Sequence, residues 1–107
     1  MNYGSSTGTN QLMLNFTDLR KAAMVLRAVN HKLRQQILDL IEENQRLTVT
    51  EIFVKLRLEQ SVASQHLAIL RRAGVVVTER EGKFIYYSVD RSRLEQISTL
   101  AGVLAAA

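Results

Sequence analysis

The hydrophobic period of the chain changes at Gly74. On the N-terminal side, apolar residues recur every three or four positions, as in the run 63–70, which is typical of one face of an α-helix. On the C-terminal side, VVVTER and KFIYYSV are β-branched and aromatic, and they flank the pair Glu81-Gly82. That arrangement predicts a β-hairpin with a two-residue turn at 81–82. The chain is therefore predicted to be mainly α-helical with one small hairpin near its C-terminus.

Two helices are predicted ahead of residue 46. The apolar residues between Leu19 and Val29 alternate steps of three and four, so a first helix is expected from Asp18, with Thr17 as its N-cap. A second helix is expected to begin at Asn30 and to end in the polar segment 42–45.

A helix-turn-helix is predicted between residues 48 and 74. Thr48 and Glu51 have the spacing of a capping box, in which a hydroxyl and a carboxylate each satisfy a backbone donor at the start of a helix. A short helix is expected to follow, then a tight link at 57–59 and a second helix at 59–73. The hairpin at 75–89 comes directly after it, in the place of a wing.

The N-terminal half of helix 59–73 is polar where its C-terminal half is apolar. Its neutral hydrogen-bonding side chains are Gln60, Ser61, Ser64 and Gln65. Glutamine can form paired hydrogen bonds with the edge of adenine, and serine is small enough for the backbone to approach DNA closely. The pattern favours a helix that packs at one end and enters a major groove at the other.

A last helix is predicted after Asp90, which is placed to cap it. Its apolar residues follow steps of 3, 4 and 3, the spacing of a seam between two helices; they are Leu94, Ile97, Ala101 and Leu104. The predicted fold is a winged helix-turn-helix of order α1-α2-α3-α4-β-β-α5. Because the first helix carries a similar stripe at Leu19, Ala22 and Leu26, these two helices are expected to form a twofold interface between copies.

Composition limits the functions that remain. The chain has 107 residues, a net charge of +4 and no cysteine, which excludes disulfides, thiolate metal sites and cysteine nucleophiles. One domain is expected at 12–107, after a flexible Gly/Ser/Thr/Asn-rich arm at 1–11. Neither a membrane-length apolar run nor a signal-peptide pattern is found, so a cytoplasmic protein is expected. The basic balance is compatible with a polyanionic partner such as double-stranded DNA.

Three stretches carry a resemblance to a known family. They are NHKLRQQILDLI, LTVTEIFVKLRLEQSVASQHLAILRRAGVV and EREGKFIYYSV. From about Leu19 to Val89 the chain resembles the ArsR-type winged helix-turn-helix regulators of bacteria and archaea. The resemblance implies a homodimer, joined through its first and last helices, that binds a pseudo-palindromic operator and represses transcription. It places DNA contacts on Gln60, Ser61, Ser64 and Gln65 of the helix, and on Arg80 and Lys83 of the wing.

The chain departs from that family where metals are sensed. Metal-sensing members carry a Cys-x-Cys run in the third helix, where this chain has Val49, Thr50 and Glu51. Others bind zinc through Asp and His of the last helix, but this chain has Asp90 and no histidine after His66. We therefore expect no metal and no cofactor, and the effector is left open. Arg57 occupies a link position where the family commonly has glycine.

Several residues keep alternative interpretations. His66 is expected to be a half-buried packing residue, with a phosphate contact or a metal ligand as alternatives. Arg71 is a solvated cation or a phosphate contact. Arg80 and Lys83 could serve solubility alone.

Two other functional classes compete with a regulator. The main alternative is a winged-helix module that docks another protein and has weak or lost specific DNA binding. An enzyme is disfavoured, since neither histidine is tied by sequence to a nucleophile or a carboxylate pair.

Overall fold

The structure, a computed structural model, describes residues 14–106, so the arm expected at 1–11 lies outside the described residues. In chain order the elements are α1 (Phe16–Val29), α2 (Lys32–Asn44), β1 (Leu47–Thr48), α3 (Val49–Leu56), α4 (Gln60–Arg72), β2 (Val76–Glu81), β3 (Phe84–Val89) and α5 (Arg91–Ala105). The predicted winged helix-turn-helix is confirmed, with one strand more than the sequence indicated.

The additional strand is β1. It pairs antiparallel with β3, with Leu47 opposite Tyr87 and Thr48 opposite Tyr86, and the sheet order is β1-β3-β2. A strand of two residues is too short to show an alternating pattern, which is why periodicity did not reveal it.

Both of the first two helix starts were predicted wrongly. Asn15, not Thr17, caps α1, because its side chain accepts a hydrogen bond from the Asp18 N–H at 3.1 Å. Asparagine ranks above threonine as an N-cap, so the helix begins earlier than expected. Asn30 ends α1, and His31 caps α2 through its Nδ1, which accepts from the Leu33 N–H at 3.2 Å.

The hairpin turn is displaced by one residue from its predicted place. Glu81 pairs with Phe84, so the turn residues are Gly82 and Lys83. Gly82 takes a φ of +61°, which glycine adopts without the steric cost of a Cβ. The turn therefore forms where the glycine can occupy its first central position.

The core lies between α2, α3, α4 and the base of the hairpin. Its fully buried large side chains are Ile37, Ile41, Ile52, Leu67, Leu70, Val75 and Val76. Each such side chain stabilises the fold by about 1.5–3 kcal/mol when it leaves water. No helix within residues 14–106 is long and apolar enough to span a membrane.

The turn between α3 and α4 is tight because of Arg57. Its backbone is left-handed, with φ 56° and ψ 47°, and its N–H donates to the Val54 carbonyl. The next residue closes the turn, since the Leu58 N–H donates to the Phe53 carbonyl at 2.9 Å. The left-handed conformation of a residue with a Cβ lowers the stability of a fold by about 1–2 kcal/mol, and Arg57 therefore destabilises this fold by about that amount.

We expect Arg57→Gly to raise the free energy of unfolding by about 1 kcal/mol, because glycine adopts the left-handed conformation without that cost. Chemical denaturation measures the change. Arg57→Ala is the control: it removes the same side chain but keeps a Cβ, so it should not stabilise. A glycine variant no more stable than the alanine variant would contradict this account.

Candidate nucleic-acid interface

The recognition helix α4 presents two different faces. Ala63, Leu67 and Leu70 are buried, with exposed fractions of 0 %, 1 % and 0 %. The four polar residues predicted to contact DNA, Gln60, Ser61, Ser64 and Gln65, are all exposed in the first two turns. The packing of the apolar stripe thus turns a patch of amide and hydroxyl groups toward solvent.

The helix before α4 is fixed by the predicted capping box, which is confirmed. The Glu51 N–H donates to the Thr48 hydroxyl oxygen at 3.2 Å, and the Thr48 N–H donates to the Glu51 carboxylate at 2.9 Å. Two backbone donors at the start of α3 are therefore satisfied by local hydrogen bonds, and the tight turn at Arg57 connects α3 to α4.

Glu51 and Asp90 lie at the two places where metal-sensing members of the resembled family bind metals, and in this structure both residues cap helices. Glu51 belongs to the capping box, and the Asp90 carboxylate accepts from the Arg93 N–H at 3.1 Å at the start of α5. Across residues 14–106, no three His, Cys, Asp or Glu side chains gather in a way that could hold a metal ion.

His66 is half-buried and contacts other side chains of the protein. Its ring lies 4.9 Å from that of His31, and its Nδ1 is 3.2 Å from an Arg34 guanidinium nitrogen. A guanidinium can only donate, so Nδ1 is the acceptor and the neutral ring carries its proton on Nε2. Burial, and then the neighbouring His31 and Arg34, hold the pKa of His66 below its ordinary value of 6.5. These contacts favour the packing role among the three interpretations.

The cations predicted on the wing are exposed. Arg80 on β2 donates from Nε to the Gly82 carbonyl at 3.2 Å, so its side chain is drawn toward the turn. Lys83 occupies the turn itself, with its Nζ 5.5 Å from the centre of the Phe84 ring. Arg71, in the last turn of α4, is exposed as well. The wing tip thus carries two exposed cations, and a third lies near the C-terminal end of α4.

One charged cluster was missed by sequence reasoning. Arg46 is bonded to Glu81 and stacks over Tyr86, and it lies within ion-pair distance of Glu79. These partners are far apart in sequence and meet only because β1 joins the sheet. Because β1 was not predicted from the sequence, the contacts of Arg46 with these partners were not predicted either.

The residues predicted for a dimer interface are only partly covered. Leu94 and Ile97 pack against the core of their own chain. Leu19 and Leu104 are 49 % and 62 % exposed, Ala101 is exposed, and Ala22 and Leu26 are half-buried. Other apolar side chains of this region are exposed as well: Leu14 before α1, Phe16 and Met24 on α1, and Leu100 and Val103 on α5.

A groove separates α1 from α5 at the end of α4. It has a volume of about 530 Å³, and its walls include Ala22, Leu26, Ile97 and Leu100. Within the part of the chain that the structure describes, α5 has no buried residue. The two terminal helices therefore leave a broad apolar surface uncovered in the single chain.

A winged helix-turn-helix with an exposed polar recognition helix defines the class of this protein. The sequence profile of the bacterial regulatory proteins of the arsR family matches residues 31–78. The transcriptional activator HlyU of Vibrio cholerae is 38% identical over 80 residues, covering 75% of this chain and 73% of HlyU.

A solved structure agrees with that relationship. The transcriptional repressor PagR of Bacillus anthracis superposes with a TM-score of 0.67 at 33% identity, covering 81% of this chain and 99% of PagR. The chain belongs to the ArsR family: it is a DNA-binding transcriptional regulator and not an enzyme.

We expect acid to destabilise the fold through His66. Because its folded pKa lies below 6.5, the unfolded chain binds the proton first as the pH falls, and stability declines from about pH 6.5 down to the folded pKa. Thermal unfolding at a series of pH values should show a steeper acid decline for the wild type than for His66→Gln. Glutamine can still accept from Arg34 but does not titrate. Parallel pH curves for the two proteins would rule out this role of His66.

Proposed function

We propose that the protein is a homodimeric repressor that reads a pseudo-palindromic operator. The amide and hydroxyl groups of Gln60, Ser61, Ser64 and Gln65 contact base edges in the major groove. Arg71, Arg80 and Lys83 contact phosphates, which position the protein without reading sequence. The observation that carries the proposal is the exposure of all four polar side chains in the first two turns of α4.

The dimer forms through the apolar surface of α1 and α5. The exposed side chains of Leu19, Leu100, Val103 and Leu104 support this, since large apolar patches on a small domain mark interaction sites. A twofold axis between the two α5 helices sets the two recognition helices about 34 Å apart, one turn of DNA. Each protomer of residues 12–107 then supplies one reading module and half of the interface, and the dimer acts in the cytoplasm, where the DNA is.

Repression is the sign of regulation that we propose, by similarity to PagR. The relative HlyU is named as an activator, so the position of the operator relative to the promoter decides the sign. Transcription from a reporter promoter that keeps the operator at its natural position tests this choice. A protein that raises transcription from that promoter would make it an activator.

Two substitutions separate reading from positioning. Gln65→Ala should cost about 1–3 kcal/mol at one base-pair position in each half-site and relax the preference there, because paired amide hydrogen bonds are lost. Lys83→Ala should weaken binding to all duplexes alike and reduce the salt slope of the dimer by about 1.8, because one phosphate contact is lost in each half-site. Selection from a random duplex pool, followed by titrations at several salt concentrations, measures both effects.

If both substitutions weakened binding to every DNA sequence equally, this division of roles between Gln65 and Lys83 would be wrong. Binding to random duplexes only, with no selected consensus, would favour a protein-docking module over a sequence-specific regulator.

The dimer interface is tested by placing charge in the exposed seam. We expect Val103→Glu combined with Leu104→Glu to convert a dimer into a folded monomer, because burial of two carboxylates in an apolar interface is unfavourable. Analytical ultracentrifugation gives the mass, which is 12.1 kDa for one chain. Val77→Glu is the matched control, since Val77 is exposed on β2 away from both helices. A wild-type protein that sediments as a monomer would refute the dimer.

A further inference from the structure

Arg46 joins all three strands of the sheet. It immediately precedes β1, and its guanidinium donates to the two carboxylate oxygens of Glu81 on β2, at 2.6 and 3.1 Å. On the way it crosses β3, where its central carbon lies 4.0 Å from the centre of the Tyr86 ring. The same guanidinium is 3.7 Å from the Glu79 carboxylate. One side chain thus links the start of β1 to the distal end of the hairpin.

The wing tip has little other support. β1 pairs only with Tyr86 and Tyr87, so residues 80–85 extend beyond it as a two-stranded ribbon. Such a ribbon on its own is marginally stable in water. A forked guanidinium-carboxylate pair fixes both distance and orientation, which a single charge contact does not.

The same contact changes the charge of the wing. Glu79 and Glu81 lie on the strand that carries Arg80, and the turn that carries Lys83 follows it. An uncompensated carboxylate at this place would repel DNA phosphates. The Glu81 carboxylate is ionised at neutral pH, and Arg46 supplies its counter-charge through the two hydrogen bonds, which also hold the pKa of Glu81 below its ordinary value.

We propose that Arg46 is a positioning residue for DNA binding, which holds the wing tip in place and cancels the charge of Glu81 without touching the DNA. This inference rests on the proposed function, because it concerns how the wing of that regulator meets phosphates. Arg46 lies outside α4 and outside the hairpin, the two segments that carry the proposed DNA contacts.

A double-mutant cycle tests this role. Operator affinity is measured for the wild type, Arg46→Ala, Glu81→Ala and the double variant. Arg46→Ala should weaken binding about three- to tenfold, whereas in the Glu81→Ala background the same substitution should have little effect, because coupled pairs behave non-additively. An equal loss in both backgrounds would mean that Arg46 contacts the DNA itself, and would overturn the proposal.

A second measurement reads the wing directly. Amide hydrogen exchange of residues 80–85 in the free protein should accelerate in Arg46→Ala and in Arg46→Lys, which keeps the charge but loses the fork. Arg91→Ala is the control, because it removes a surface arginine that is paired with Glu42 and follows the base of the hairpin, at the end opposite the tip. Unchanged amide exchange of residues 80–85 in both Arg46 variants would show that Arg46 does not hold the wing tip in place.

The two layers of inference fail in different ways. A wild-type protein that binds no operator, with exchange at the wing still dependent on Arg46, would reject the proposed function and confine Arg46 to folding. Operator binding by the wild type that Arg46→Ala leaves unchanged would reject only the role of Arg46.

Discussion

The structure depends on the packing of α4 against α2 and α3. Ile37 and Ile52 meet Leu67 and Leu70 in a core from which water is excluded, and the helix cannot rotate without exposing that stripe. Residues of one helix that are not on the packed face must point elsewhere. The exposure of Gln60 to Gln65 is therefore a consequence of burying the stripe. The surface that we propose to bind DNA is fixed by residues that never reach it.

The sequence was most informative where contacts are local. The Thr48–Glu51 capping box and the cap at Asp90 involve residues three positions apart, and both are found as predicted. Hydrophobic spacing likewise placed the stripe of α4, since helical geometry alone sets it. The fold class followed from these signals and from the change of period at Gly74.

Prediction failed where a partner comes from a distant part of the chain. β1 is a strand only because β3 lies beside it, and Arg46 acquires its role only through that pairing. The hairpin turn was misplaced by one residue because the strands alone do not decide between 81–82 and 82–83; the positive φ of Gly82 does. The sequence predicted which polar and basic residues of α4 and the wing are candidates for DNA contacts. Whether each of them contacts a base or a phosphate depends on how the protein docks on DNA.

Two of the caps also bear on how such a regulator could acquire a signal. The resemblance to the metal-sensing members implies that Glu51 and Asp90 occupy positions of their metal ligands, yet here each carboxylate accepts from a backbone N–H at a helix start. Exchanging Glu51 for a thiolate would leave the Thr48 amide without its acceptor, at a typical expense of about 1 kcal/mol for a lost cap. Sensitivity to a metal ion would therefore have to evolve together with substitutions that restore this stability. The reason is that the same positions serve both to cap helices and to bind the ion.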